Sequence, residues 1–370
     1  MKDVTHAEPP RHFGSGWISG VLSVTLGTMG FGAVLCLLFP SLLTTPELRD
    51  IYPMDLVRGL IQAVIFGAFV LGIVSVVLRQ RKLLGLSGIF LSVFASLLGG
   101  SEVPVEGAVE KSNYVGLDWF LLDVLLLALV FVPMERLFAR LREQKVFRTG
   151  WRTDLAHFFV SHLLVQVTVL LTMAPAAVFF RWAVTPVIQN SVAAQPLWLQ
   201  FLEILFVADF TEYWVHRAFH RVPALWKFHA IHHSSTEMDW LAGSRLHIVD
   251  IVVTRGLTFV PLFVLGFAQP AVYAYLVFVS FHAVFIHANV NFRFGALAQA
   301  MVTPQFHHWH HGKEREAIDK NFAVHLPWID RMFGTYHMPA GQWPGRYGIE
   351  GDPVPENYFR HLTFPFGARK

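Results

Sequence analysis

The chain has 370 residues, 54% of them hydrophobic and only 15% charged, with a formal net charge of +3 and a mean hydropathy of +0.46. That balance sets the chain apart from an ordinary soluble domain, because long uncharged runs dominate, and the basic residues in short blocks beside them fit membrane orientation better than nucleic-acid binding. The single cysteine, Cys36, lies inside an apolar run and excludes an intrachain disulfide and a cysteine-based metal site.

Residues 1–16 are polar and read as a cytoplasmic tail. Apolar runs follow at about 17–42, 56–78, 83–99 and 118–135, each of bilayer-crossing length or close to it. The first is longer than a signal-peptide core and reads as a retained span. The links between the runs alternate in charge. Residues 43–55 and 100–117 are acidic or neutral, whereas Arg79, Arg81 and Lys82, then Arg136, Arg140, Arg142, Lys145, Arg148 and Arg152, mark the other side. The positive-inside rule makes that second side cytoplasmic. Residues 17–135 thus form a four-helix membrane region without recognisable chemistry, a support for the histidine-bearing half of the chain.

Residues 136–154 read as a basic interfacial linker, with arginines at the headgroups and Leu137, Phe138, Leu141 and Phe147 in the acyl boundary. Runs at 155–182 and 195–214, then at 251–268 and 270–288, make two membrane hairpins that each return to the cytoplasm just before a histidine cluster. The expected architecture is all-α: a polytopic integral membrane helical bundle, in the inner or plasma membrane, with a cytoplasmic histidine-rich helical cap. Residues 155–340 form its catalytic domain, and 341–370 a tail broken by glycine and proline.

Histidine supplies 19 of the 370 residues, so an 18-residue window holds about one by composition, yet residues 216–233 hold five. His216 and His220 are spaced i, i+4. His229, His232 and His233 are spaced i, i+3, i+4, and His307, His310 and His311 repeat that pattern, so each set has helical spacing for one face. Eight imidazoles exceed what one ion takes, which points to two metal ions sharing the set. Imidazole suits iron, zinc, copper or nickel over magnesium or calcium. Two non-haem iron ions with O2 as co-substrate fit a membrane site that attacks unactivated C–H bonds, and zinc is left open. Asp209 and Glu212, seven and four residues before His216, lie on its helical stripe and are placed to orient ring nitrogens. Two other readings compete. A di-zinc membrane hydrolase would want a general-base glutamate between ligand histidines, and a metal transporter or sensor would set its ligands at mid-membrane along a pathway.

The stretches Tyr213 to His220, Leu225 to Ser234 and Thr303 to His311 resemble the H-x3-H, H-x2-H-H and H-x2-H-H boxes of the fatty acid hydroxylase/sterol desaturase superfamily. Asp319 to Phe322 and Trp328 to Thr335 are similar to its closing segment. The resemblance spans roughly residues 150–340 and leaves the first 145 outside it. It implies a membrane-bound di-iron oxygenase that hydroxylates or desaturates a fatty acyl chain, a sterol or a related lipid. It adds His287 to the ligands, with Asn291, standing where the family repeats histidine, as a further ligand directly or through water. His247 matches a family histidine and is expected beside the ligands or facing substrate. Asp319 and Asp330 join the carboxylates that orient imidazoles. His157, His162, His282 and His308 read as structural. No flavin or nicotinamide fingerprint, cysteine set or haem domain is recognisable. Electrons are therefore expected from an external donor, a ferredoxin or cytochrome with its reductase, docking on the cytoplasmic face. The remaining partners are the lipid substrate and membrane lipids, with no nucleic acid.

Overall fold

The computed structural model describes residues 14–45, 49, 53–104, 116–163, 171, 174–351 and 353–367. The tail up to residue 13, the centre of the 155–182 run and the His162 side chain lie outside the described residues. Among those described there is no strand, only isolated bridges between Ala139 and Val290 and between Gly312 and Tyr347. The main helices are α1 (Trp17–Leu38), α2 (Met54–Leu78), α3 (Leu83–Leu97), α4 (Leu117–Leu137), α5 (Trp151–Leu163), α6 (Leu197–Arg221), α7 (Pro223–His233), α8 (Ile248–Leu265), α9 (Gln269–Phe285), α10 (Pro304–His310) and α11 (Pro327–Met332). Among the described residues five helices are long and apolar enough to cross a membrane: α1, α2, α3 with its extension to Glu102, α4 and α8. The run expected at 270–288 folds as the shorter apolar α9. The run at 195–214 lengthens into the 25-residue α6, whose later turns are polar. The chain divides into two compact units, residues 1–125 and 126–370.

In the first unit, α1, α2 and α3 pack on one another through small residues. Gly20, Ser23, Gly27 and Gly30 are buried in α1, Gly72 and Ser75 in α2, and Gly85, Gly88 and Ser92 in α3. Leu60, Phe66, Val77, Leu83, Phe90 and Leu97 point outward. Lipid tails solvate leucine as well as another helix does, so close backbone approach and interhelical hydrogen bonds hold such bundles together. The Ser23 hydroxyl donates to the Ala68 carbonyl at 2.6 Å. A Cβ on Gly88 would lie 1.9 Å from Ser23 Oγ. Gly88→Val is therefore expected to part α1 from α3 and cost about 1–3 kcal/mol, read as a lower melting temperature of the detergent-solubilised protein. An unchanged melt would mean that the contact is slack.

The second unit is built on α6. Its buried residues Ile204, Leu205, Ala208, Asp209, Tyr213, His216 and Phe219 form one helical stripe, which α8 and α9 pack against. The apolar half of that stripe meets Leu262, Phe267, Ala271 and Tyr275. The next turns meet Ile286, Val302, Phe306, Phe322 and Ile329 through Tyr213. Val222 alone separates α6 from α7, and Pro223 opens α7 in its first turn, where the fixed φ of proline suits a helix start. This one-residue link turns the histidines of α7 back against those of α6. Arg148 and Arg245, both buried, each reach Asp154 at 2.5 Å, and Arg148 also holds Asp239 at 2.7 Å. That ionic knot fixes the loop that carries Arg245.

Candidate metal centre

Nine histidines converge in the second unit. His216, His220, His229, His233 and His310 form one group and His232, His287, His307 and His311 another, with candidate ligand atoms in each group within 4.8 Å of one another. The two H-x2-H-H boxes are each split. In α7 the i, i+4 pair His229 and His233 joins the first group while His232 joins the second. In the box at α10 the i, i+4 pair His307 and His311 joins the second group while His310 joins the first. Helix geometry accounts for this, because residues four apart differ by about 40° in azimuth while adjacent residues differ by about 100°. Each box thus serves both groups, and the single-faced sets expected from spacing alone resolve into two.

The rings meet through Nε2. In the first group His216 Nε2 and His229 Nε2 are 3.0 Å apart. In the second, His287 Nε2 lies 3.3 Å from His232 Nε2 and 3.0 Å from His307 Nε2, and His311 Nε2 lies 3.1 Å from His307 Nε2. Metal–nitrogen bonds of about 2.0–2.1 Å give ligand edges of about 2.9–3.4 Å in octahedral or tetrahedral sets, so these spacings fit ions between the rings. The buried Nε2 atoms of His220, His233 and His310 have no partner among the described residues. A buried nitrogen without a partner is costly, and a metal ion would satisfy all three.

Opposite nitrogens fix the rings. Nδ1–H of His216 donates to the Phe322 carbonyl at 2.8 Å, that of His310 to Lys320 at 2.7 Å, that of His287 to Ala283 at 2.6 Å and that of His232 to Arg245 at 3.3 Å. His229 Nδ1 lies 2.7 Å from the Asp250 carboxylate. Such bonds select the tautomer with a lone pair on Nε2, aimed inward. The carbonyls of Lys320 and Phe322 point at histidines because the chain turns sharply at Asp319 and Asn321, whose φ angles are 57° and 60°. Aspartate and asparagine tolerate this left-handed conformation better than most residues. Asn321 then locks the turn, its amide donating to the Phe306 and His337 carbonyls and its Oδ1 accepting from the His337 N–H. Asp330, fully buried, accepts from the N–H groups of Phe322 and Ala323 and from the Thr335 hydroxyl. Removing it as Asp330→Ala orphans these donors and is expected to cost about 3 kcal/mol or more, with a lower melting temperature and lost metal together. Unchanged values for both would refute the bracing role.

The other residues singled out in the sequence take varied places. Asp209 lies on the stripe with His216 but accepts from the backbone N–H groups of Val324 and Leu326, at 2.8 and 2.6 Å, so it acts on the histidine through the 322–326 segment. Asp319 lies 3.5 Å from His220 Nδ1. His247 caps α8 by accepting from the Val249 N–H and meets the Leu362 carbonyl, outside both groups. Asn291 is exposed, its N–H on the Phe138 carbonyl. Glu212 makes no hydrogen bond among the described residues. His308 Nε2 meets the His287 carbonyl and its Nδ1 the Tyr347 hydroxyl. His157 pairs with His361, and His282 with His325. Asp250 was not singled out. Its signal was a carboxylate in the first turn of an apolar span.

Burial first, and the neighbouring imidazoles after it, hold His232, His233, His307, His310 and His311 well below the usual imidazole range, and burial lowers His287 to about 4. These six rings are therefore neutral, the form that binds metal. Acid works against the fold, because the unfolded chain takes up protons near its ordinary value of about 6.5 that the folded rings refuse. The metal-free chain is expected to lose stability as pH falls from about 7 towards 5.5. A melting temperature that is flat over that interval would contradict this.

Among the described residues, helices long and apolar enough to cross a membrane stand in one chain with two buried histidine groups that could hold metal ions. Residues 201–335 match the fatty acid hydroxylase family model, so the chain carries a fatty acid hydroxylase domain. It is 29% identical over 224 residues to the ornithine lipid hydroxylase OlsE of Rhizobium tropici, covering 58% of this chain and 66% of that protein. It is 37% identical over 129 residues to alkylglycerol monooxygenase of Homo sapiens, covering 35% and 28%. It is 26% identical over 139 residues to methylsterol monooxygenase 1-3 of Arabidopsis thaliana, covering 37% and 47%. Each of these matches spans less than two thirds of the relative's length. No solved structure matches the chain.

Proposed function

We propose that this protein is an oxidoreductase, an O2-dependent lipid oxygenase that hydroxylates or desaturates a fatty acyl chain, a sterol or a related lipid. The observation that carries the reading is the pair of histidine groups, five and four strong, held inside the segment that matches the fatty acid hydroxylase family. The first group would hold one iron ion and the second another, and bound iron would supply the oxidising power that no side-chain acid or base has. The chain's own part is orientation and exclusion of water. Carbonyls of residues 245, 283, 320 and 322 and the Asp250 carboxylate keep Nδ1 protonated and Nε2 free in His232, His287, His310, His216 and His229. Burial of the rings keeps bulk water from them. Residues 155–340 would form the catalytic domain and 17–135 its membrane support. The arginine-rich 136–154 linker favours a cytoplasmic metal site, where an external ferredoxin or cytochrome would deliver two electrons per turnover.

The test is metal analysis of anaerobically purified protein, followed by oxygen consumption with lipid substrates and a reduced donor. About two irons per chain and lipid-dependent oxygen uptake are expected. Two tightly bound zinc ions, no iron uptake on reconstitution and no oxygen consumption would overturn the reading.

A further inference from the structure

The last stretch of the chain lies beyond the family match, which ends at residue 335, and among the described residues neither histidine group draws a member from it. It is built inward all the same. A short helix, α12 (Tyr358–Thr363), is opened by Asn357, whose side chain accepts from the N–H groups of Phe359 and Arg360. Phe359 on this helix is exposed, while His361 is fully buried. An apolar residue would fill that place without further demands, whereas a buried imidazole brings two nitrogens that each need a partner.

His361 finds them on two sides. Its Nε2 lies 2.6 Å from the Pro355 carbonyl, and its Nδ1 lies 2.9 Å from Nε2 of His157 on α5. The other nitrogen of His157, Nδ1, lies 3.0 Å from the Leu246 carbonyl. The residues on either side of Leu246 are held from the same stretch. Arg245 donates to the Glu356 carboxylate at 3.2 Å, and His247 Nε2 meets the Leu362 carbonyl at 3.3 Å. The Phe366 ring packs on both His247 and Phe228 of α7. Three consecutive residues of the link between α7 and α8 are thus gripped by residues 356–366, two directly and one through His157.

That link carries groups that orient the histidines. The Arg245 carbonyl accepts from His232 Nδ1 at 3.3 Å, and the Arg245 guanidinium donates to the Ser234 hydroxyl at the end of α7. His247 caps α8 by accepting from the Val249 N–H at 3.1 Å, and in the first turn of that helix Asp250 lies 2.7 Å from His229 Nδ1. His232 belongs to one group and His229 to the other. Gly150 keeps the grip close, since a Cβ there would run into both the Glu356 carboxylate and the Arg245 guanidinium.

We propose that residues 356–366 form a clamp on the 245–250 link, and that His361, acting through His157 and Leu246, is a positioning residue for His232 and His229. Partners of the ring nitrogens that face away from a metal set its affinity, and here the clamp holds those partners for one ring of each group. The proposal rests on the reading of the histidine groups as a two-metal centre and adds to it an element outside the matched domain.

The test titrates the detergent-solubilised, metal-free full chain with cobalt(II), whose visible absorption follows the geometry of its ligands, and reads affinity, band position and melting temperature. The wild type is expected to take up two ions. His361→Ala should weaken uptake about tenfold or more and shift the bands. His361→Asn, whose amide reaches the place of Nδ1, should recover most of that affinity. Glu356→Ala, at a half-exposed position, should weaken uptake about threefold, and Arg360→Ala, exposed on the same helix, should change nothing. Wild-type affinity and bands in His361→Ala overturn the proposal. So does a His361→Ala protein that melts lower yet binds cobalt as the wild type does, because that marks a contact for stability alone. If His361→Ala fails to fold, unchanged affinity in Glu356→Ala overturns the clamp. A wild type that takes up no cobalt sinks the metal centre and the clamp with it, whereas two ions bound alike by wild type and variants sink the clamp alone.

Discussion

His232→Ala is expected to leave the chain with about one metal ion where the proposed centre of the wild type holds two. Lipid oxidation should fall by more than the roughly 10–100-fold that losing a supporting partner costs. His232 is one of four imidazoles in its group, and its removal leaves three where a closed site takes about four. His310→Ala makes an instructive contrast, because its group starts with five and keeps four. The structure therefore predicts an asymmetry: comparable losses of activity, but greater metal retention in His310→Ala. Metal per chain by mass spectrometry, beside oxygen uptake, reads both. Two ions per chain and wild-type turnover in His232→Ala would remove the second group from the mechanism.

The contrast between local and long-range signals explains which parts of this site were legible in the sequence. The three box spacings are set within single helices or helical turns, so i, i+3 and i+4 relations survive folding and the eight box histidines could be picked out together. How they divide was not legible, because a count of faces does not say which face meets which partner. His287 and Asn291 repeat the i, i+4 spacing, but α9 ends at Phe285, so the periodic rule has no helix to act on and Asn291 ends exposed. Asp209 shares a stripe with His216, yet its partners lie 115 and 117 residues away, a distance that no local pattern spans. The turn at Asp319 and Asn321 was visible only as a family segment. Its reason is a pair of left-handed residues that aim two carbonyls at two histidines. The spans were read from length and apolarity, the properties a bilayer imposes, and α6 departs from that pattern because its later turns carry the site.

The Asp250 carboxylate is the case where a single outer contact should be separable from the rest. It lies 2.7 Å from His229 Nδ1, while His229 Nε2 lies 3.0 Å from His216 Nε2. A carboxylate acceptor at Nδ1 fixes the ring with Nε2 aimed inward and strengthens it as a ligand; the amide of Asp250→Asn preserves shape but accepts a weaker hydrogen bond. Metal affinity of the five-histidine group is expected to drop about 10–100-fold. The four-histidine group should be spared, because none of its rings meets Asp250 and two of them, His232 and His287, lean on the Arg245 and Ala283 carbonyls instead. Chelator-driven metal release should therefore become biphasic in Asp250→Asn, with one ion leaving early and the other at the wild-type rate. Loss of both ions together would mean that the two groups are one cooperative unit. No change in either would mean that the contact at His229 contributes nothing to holding the metal.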